Sequence, residues 1–130
     1  MESIKRPSTI TLGHDLAFLY LNLGYITDGE LSQEEIEKIV EKVEEWYQPT
    51  QTQEMAITIK ESVDWAKSCG DKPGAEIEEC AKRLKANLSE ENLKAVLGDM
   101  AAIINADGKV VDGEVKFFAV IAKVFGIDLN

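Results

Sequence analysis

The sequence has few of the nitrogen and sulfur ligands on which zinc sites and disulfides depend. Only one histidine and two cysteines occur among its 130 residues. Cys69 and Cys80 fit neither a CxxC motif nor a zinc-ligand spacing. We therefore expect no structural zinc site, and two buried or idle thiols in a reducing cytoplasm.

Basic residues are also in the minority, with 14 lysines and arginines against 24 acidic residues and a net charge of -10. Because phosphate binding needs a basic stripe, this balance excludes nucleic acid as an expected partner. It also disfavours anionic membrane surfaces. It is compatible with cations or with basic protein partners.

Long apolar runs are absent, so the sequence predicts no transmembrane helix and no direct membrane insertion. The apolar stretch 16–26 is interrupted by Asn22 and is followed by no convincing cleavage site, which argues against a signal peptide. We expect a soluble, cytoplasmic protein. With 45% apolar residues, the chain predicts one globular domain over 1–130.

Enzyme motifs are missing as well, because neither a GxGxxG sequence nor a P-loop occurs. His14 and Asp15 are neighbours on a predicted helix and do not face each other, so they form no acid–base dyad. We expect His14 to be a surface histidine near a helix start. No serine or cysteine has a companion base in the sequence, and we predict that the protein is not an enzyme and has no organic cofactor.

Apolar residues recur at helical spacing almost throughout, which predicts an all-α bundle of about six helices. Thr9 or Thr11 caps the first helix, Ser32 opens the second, and Pro49 ends it. The remaining helices are predicted at about residues 52–69, 75–88, 90–106 and from the second acidic turn to 124.

Two copies of one short motif are the most informative feature of the sequence. Asp28-Gly followed by Glu35 recurs 79 positions later as Asp107-Gly followed by Glu114, and both copies read Asp-Gly-x-aliphatic-x-x-x-Glu. Each copy lies between two apolar-periodic stretches, which indicates an internal duplication over about residues 9–47 and 89–126. We predict two pseudo-symmetric helix–acidic turn–helix units packed around an approximate two-fold axis.

A standard EF-hand does not fit either copy. When the motif glycine is taken as loop position 6, positions 1 and 3 are Gly24 and Ile26 in the first copy. In the second copy they are Ile103 and Asn105. Half of the oxygen cage is therefore missing, and neither copy forms a working EF-hand loop.

Helix capping is the alternative role for these acidic residues. Ser32 and Glu35 have the spacing of a capping box, and Asp28-Gly is ordinary turn chemistry. In the second copy, however, the residue aligned with Ser32 is Val111, which has no hydroxyl group, while Glu114 is kept. Asp112 remains available as a cap there.

If the two turns converge, their carboxylates need a compensating charge. Two carboxylates about 5 Å apart repel by roughly 3 kcal/mol at an effective dielectric constant near 20. Protonation, a lysine such as Lys109, or a hard cation such as Ca²⁺, Mg²⁺ or Mn²⁺ can offset that repulsion.

Residues 26–35 (ITDGELSQEE) and 105–114 (NADGKVVDGE) resemble the tellurite-resistance TerB-like family. The hallmark of that family is an Ala-Asp-Gly-x-aliphatic turn followed by acidic residues. The chain is also similar to the N-terminal region of a membrane-anchored DnaJ-type co-chaperone. It departs from the family pattern at Thr27, where alanine is usual, and at Gly113, where an acidic residue is common.

The resemblance implies an internally pseudo-symmetric helical fold and a role in bacterial stress or tellurite-resistance complexes with protein partners. It also implies a divalent-cation site. Carried over residue by residue, the metal ligands are Asp28, Glu35, Asp107 and Glu114. Two other hypotheses stay open: a metal-free interaction adaptor or scaffold whose acidic turns are only helix caps, and a hydrolase that uses the carboxylates as acid and base.

Overall fold

The computed structural model describes residues 4–25, 33–69, 73–106 and 112–128. Those ranges contain six α-helices and no strand. The helices are α1 (Leu12–Tyr25), α2 (Gln33–Glu44), α3 (Thr52–Ser68), α4 (Gly74–Asn87), α5 (Glu90–Ile104) and α6 (Asp112–Phe125), with a 3₁₀ turn at Pro49–Gln51. The predicted all-α fold is confirmed, and most predicted helix ends lie within one turn of those observed.

Helix α1 lies at the centre of the protein and contacts each of the other five helices. Residues 13–24 are all buried. The sequence predicted one apolar stripe on this helix, but Ala17, Phe18 and Leu21 on its other faces are buried as well. Because α1 is covered by other helices on every side, apolar residues occupy almost all of its faces.

The four helices beside the predicted acidic turns pack closely with one another. α1 contacts α2, α5 and α6, and α5 contacts α1, α2 and α6. Each turn therefore joins two helices that also touch the first helix of the other unit. The approximate two-fold axis between the units stays a prediction.

Helices α3 and α4 complete the core on another side of α1. Trp65 of α3 is fully buried and stacks on Phe18 of α1, with ring centroids 3.8 Å apart. A stacked aromatic pair of this kind adds to the stability gained from the buried area. Within the described ranges, no helix is long and apolar enough to cross a membrane.

Candidate metal centre

Glu35 and Glu114, the two glutamates of the repeated motif, are both buried. Each lies in the first turn of its helix, α2 or α6, and they are 4% and 1% exposed. Each also takes part in a polar or electrostatic interaction. Glutamate is rarely buried to this degree unless it is paired. Glu35 and Glu114 therefore occupy aligned positions of the repeat and are both buried, which is unusual for glutamate.

Asp28 and Asp107, the two aspartates of the motif, lie outside the described residues, and so does Lys109. Among the residues that the structure does describe, no three histidine, cysteine or acidic side chains are grouped to hold a metal ion. A complete site needs the turn aspartates, and the convergence of the four carboxylates stays a prediction.

A third buried carboxylate, Asp99 of α5, joins the two units. Its Oδ2 atom accepts hydrogen bonds from the Tyr20 hydroxyl at 2.6 Å and from the Trp46 indole nitrogen at 3.0 Å. Burial, and then the nearby Asp99 carboxylate, raise the pKa of Tyr20 well above its usual value. Asp99 is therefore held by two neutral donors.

Two features of the sequence point to the contact between Tyr20 and Asp99. Tyr20 and Asp99 are separated by 79 positions, the same separation as the two acidic turns. Asp99 also lies beside Met100 and close to Val96 on the apolar face of its helix, where a carboxylate needs a specific partner. The motif alone does not reveal the contact, because only packing of α1 on α5 brings the two residues together.

Two other buried carboxylates are paired with arginines. Arg83 forms a bidentate pair with Asp15, with the closest contact at 2.9 Å, and Arg6 forms one with Glu76 at 2.7 Å. Trp65 donates its indole N–H to Glu76 at 2.9 Å. The hydrogen bond from Arg6 lowers the pKa of Glu76 despite its burial.

His14 is buried at 4% exposure, so the prediction of a surface histidine was wrong. Its Nδ1 atom lies 3.0 Å from the backbone N–H of Thr11 and must accept that hydrogen bond. Nε2 then carries the proton and donates to Glu61 at 2.9 Å. The histidine replaces the glutamate of a capping box at the start of α1. Both ring nitrogens are occupied, which leaves neither for acid–base work.

Both cysteines are free thiols. Burial raises the pKa of Cys80 well above its usual value, and the thiol donates to the backbone oxygen of Asp15 at 3.1 Å. Burial also raises the pKa of Cys69. A raised pKa keeps a thiol protonated and unreactive, in agreement with the sequence prediction.

The family profile described as tellurite resistance protein TerB matches residues 16–130. The chain belongs to the TerB family. The match includes both acidic turns and all four candidate ligands of this TerB-family protein. Comparison with curated proteins and with solved structures gives no match.

Proposed function

We propose that this TerB-family chain is a non-enzymatic helical module that binds a divalent cation and acts in a bacterial stress or tellurite-resistance type of assembly. The ligands are Asp28, Glu35, Asp107 and Glu114. The observation that carries the proposal is the burial of Glu35 and Glu114 at aligned positions of the repeat.

Helix capping accounts poorly for this burial. A carboxylate in the first turn of a helix gains about 0.3–1 kcal/mol from the helix dipole and needs no burial to do so. Capping-box geometry is available to Glu35 through Ser32, but the aligned residue in the second copy is Val111. Glu114 is nevertheless the more buried of the two glutamates. A role shared by both copies accounts for this burial, which capping by Ser32 in one copy or by Asp112 in the other does not require.

The chemistry of the four residues fits a hard cation. Ca²⁺, Mg²⁺ and Mn²⁺ prefer carboxylate oxygens, and the candidate set contains only carboxylates. A bound cation supplies the positive charge that offsets repulsion among them. A carboxylate in the first turn of α2 or α6 also interacts favourably with the positive end of the helix dipole.

The Tyr20–Asp99 hydrogen bond supports the two-fold arrangement on which a shared site depends. In a two-fold arrangement, residues beside the axis contact their own equivalents, and these two are equivalent under the 79-residue repeat. From Tyr20 to the end of α1 at Tyr25 the helix rises by about 7.5 Å. Packed helices lie about 8–10 Å apart, so a two-fold axis at this contact keeps the C-terminal ends of α1 and α5 near it.

The test is thermal unfolding of the chelator-stripped protein with added Ca²⁺, Mg²⁺ or Mn²⁺. We expect one of these ions to raise Tm in the wild type and to have no effect in the Asp28→Asn/Asp107→Asn double mutant. The matched control is Glu34→Gln/Asp112→Asn, which removes two exposed first-turn charges from the same helices. An equal response in the wild type and the Asp28→Asn/Asp107→Asn protein contradicts the site. Calorimetric stoichiometry distinguishes one shared ion from two.

The metal-free adaptor is favoured by one observation, the exposed acidic face of α2. Glu34, Glu37, Glu41, Glu44 and Glu45 all lie on the surface of the described chain. If no ion changes the stability of any variant, the acidic turns are helix caps. Loss of bound protein on charge reversal at Glu37 and Glu41 then supports the adaptor.

A further inference from the structure

We propose that this protein carries a binding site for an extended, arginine-containing segment of a partner protein, and that residues 4–10 of its own chain occupy this site as a displaceable ligand. The arginine site is formed by Trp65, Ser68 and Glu76, where α3 ends and α4 begins. Residues 4–10 are not helical, and they precede the residues matched by the TerB profile, which begin at position 16. The segment is therefore an addition to the matched TerB core.

Glu76 provides the charged contact of the arginine site. Its two carboxylate oxygens each accept a hydrogen bond from the Arg6 guanidinium group at 2.7 Å. A bidentate pair of this kind fixes both the distance and the orientation of the guanidinium plane, which the ammonium group of a lysine does not reproduce. The geometry of the contact therefore selects arginine over lysine.

The Glu76 carboxylate is also held by residues that belong to the core. Trp65 donates its indole N–H to Oε1 at 2.9 Å and is itself fully buried. The hydrogen bond from Arg6 lowers the pKa of Glu76 most, and the Trp65 N–H and the charge of Arg83 lower it further. When residues 4–10 leave, Glu76 keeps its indole donor and the nearby Arg83 cation. The arginine site therefore stays charged and oriented in its open form.

The rest of the segment is bound through its backbone and through aliphatic side chains. The Lys5 backbone N–H donates to Ser68 Oγ at 2.7 Å, and the Ser68 hydroxyl donates in turn to the backbone oxygen of Trp65. Ile4 and Ile10 are partly buried against the hydrophobic core. A ligand of this site is therefore an extended segment in which an arginine lies close to aliphatic residues.

Residues 4–10 lie on the surface, which allows them to be displaced. The Arg6 side chain is 52% exposed, and Lys5, Ser8 and Thr9 are exposed as well. Local opening of a surface segment near a chain terminus costs much less free energy than unfolding of the domain. A competing segment therefore enters the arginine site without unfolding of the helices.

The occupant of the open site is a basic segment of a different protein rather than a second copy of this chain. Exchange of residues 4–10 between two copies would replace each contact by an identical one, and association would still cost translational and rotational freedom. Two chains of net charge -10 also repel each other, whereas a basic segment is attracted.

The test is binding of a synthetic peptide with the sequence of residues 4–10 (IKRPSTI) to the full-length Arg6→Glu protein. In this variant a carboxylate opposes Glu76, so the attached segment leaves the site open. In the wild type the attached segment competes at an effective concentration in the millimolar range. We expect the peptide to bind Arg6→Glu at least tenfold more tightly than the wild type, as measured by the NMR shift of the Trp65 indole N–H. Equal affinities overturn the proposal, and so does an Arg6→Glu protein that binds no peptide at millimolar concentration.

Two controls separate the arginine site from general attraction of a basic peptide to an acidic protein. Adding Glu76→Gln to Arg6→Glu changes the net charge by one unit and removes the bidentate acceptor, and we expect it to weaken peptide binding about tenfold or more. The Arg6→Lys form of the peptide keeps its charge, and we expect it to bind about tenfold more weakly than the arginine form. Binding that is unchanged in either control contradicts the site.

Arg6→Ala is the second variant, to be used if circular dichroism shows that Arg6→Glu is not folded. It removes the guanidinium group without adding a charge, and we expect the same order of peptide affinities. Sedimentation velocity of the wild type at millimolar concentration tests the choice of occupant, and we expect a monomer. A dimer that is lost in Arg6→Ala would identify the occupant as residues 4–10 of a second copy and would overturn the assignment to a partner protein.

Discussion

Buried carboxylates near the two ends of α1 have different kinds of hydrogen-bond partner. Near its N-terminal end, Asp15 and Glu76 are each held by an arginine in a bidentate pair. Toward its C-terminal end, Asp99 accepts hydrogen bonds only from the neutral groups of Tyr20 and Trp46 among the described residues. The first region neutralises its carboxylates with arginines, whereas no cation pairs with Asp99 among the described residues.

This difference agrees with the proposed position of the cation at the acidic turns. The C-terminal end of a helix carries a partial negative charge, so the end of α1 adds to the acidic character of the turn that follows it. Glu35 and Glu114 are buried in the first turns of the helices after the acidic turns. The arginine-paired end therefore serves stability, and the turn end is the region where we propose that a cation binds.

The largest effect is expected from removing an arginine at the paired end. Arg83→Met leaves Asp15 buried without its cation, and we expect a loss of about 2–3 kcal/mol in the free energy of unfolding. Breaking a fully buried pair costs about 3–5 kcal/mol, but the Arg83 side chain is 34% exposed and partly screened. Urea unfolding measures the change.

The control for Arg83→Met removes both charges. Asp15→Asn/Arg83→Met leaves no buried charge uncompensated, so we expect it to recover part of the lost stability. A double mutant less stable than Arg83→Met would contradict the claim that Arg83 compensates the buried charge of Asp15.

Close packing at the same end gives the second prediction. A Cβ atom at Gly13 would overlap the Tyr47 hydroxyl and lie 3.2 Å from the Thr58 methyl group. We expect Gly13→Ala to cost about 1–3 kcal/mol in unfolding free energy. Gly98→Ala on α5 is the matched control, because no atom lies within 4 Å of its added Cβ. That change should stabilise the helix by about 0.8–1 kcal/mol. Thermal or urea unfolding tests whether Gly13→Ala lowers the unfolding free energy and Gly98→Ala raises it.

The neutral donors at the turn end give a smaller effect. Tyr20→Phe removes the 2.6 Å hydrogen bond to Asp99, and we expect a loss of about 1.5 kcal/mol in unfolding free energy. Trp46 still donates to the same oxygen, so Asp99 is not left unpaired. A double-mutant cycle with Asp99→Asn measures the coupling, and a coupling near zero would show that the bond adds no stability.

The smallest expected effect is a pH dependence at the paired end. The hydrogen bond from Arg6 lowers the pKa of Glu76 in the folded protein. Its stabilising contribution is therefore complete above the unfolded pKa, near 4.3, and is lost as the pH falls through the lower folded value. We expect Glu76→Gln to flatten the decline of stability below about pH 5. Identical acid unfolding curves for both proteins would contradict this assignment.

Helical spacing and helix-end residues were sufficient to predict the fold, since local preference and tertiary packing agree in this chain. Ser89 caps α5, accepting a hydrogen bond from the Asn92 N–H. Pro49 was expected to end the second helix, but α2 ends at Glu44 and Pro49 begins the 3₁₀ turn. Burial around α1 was less predictable. His14 was expected at the surface, but its capping contact with Thr11 and its bond to Glu61 allow it to be buried.

The candidate site was predictable only in part. The repeat identified Glu35 and Glu114, and their shared burial is a tertiary property that the motif does not contain. The Tyr20–Asp99 contact depends on how α1 crosses α5, which spacing along one helix does not determine. The aspartates Asp28 and Asp107 lie outside the described residues, and their role as ligands stays a prediction.

The most direct test of the central claim is the ion-induced rise in Tm of Glu35→Gln/Glu114→Gln, measured beside the wild type and the Glu34→Gln/Asp112→Asn control. An ion at 100 times its dissociation constant stabilises the native state by about 2.7 kcal/mol. We predict that the rise persists in the wild type and the control and is lost in Glu35→Gln/Glu114→Gln. A full rise in that double mutant would contradict the claim that the buried glutamates of the repeat bind the cation.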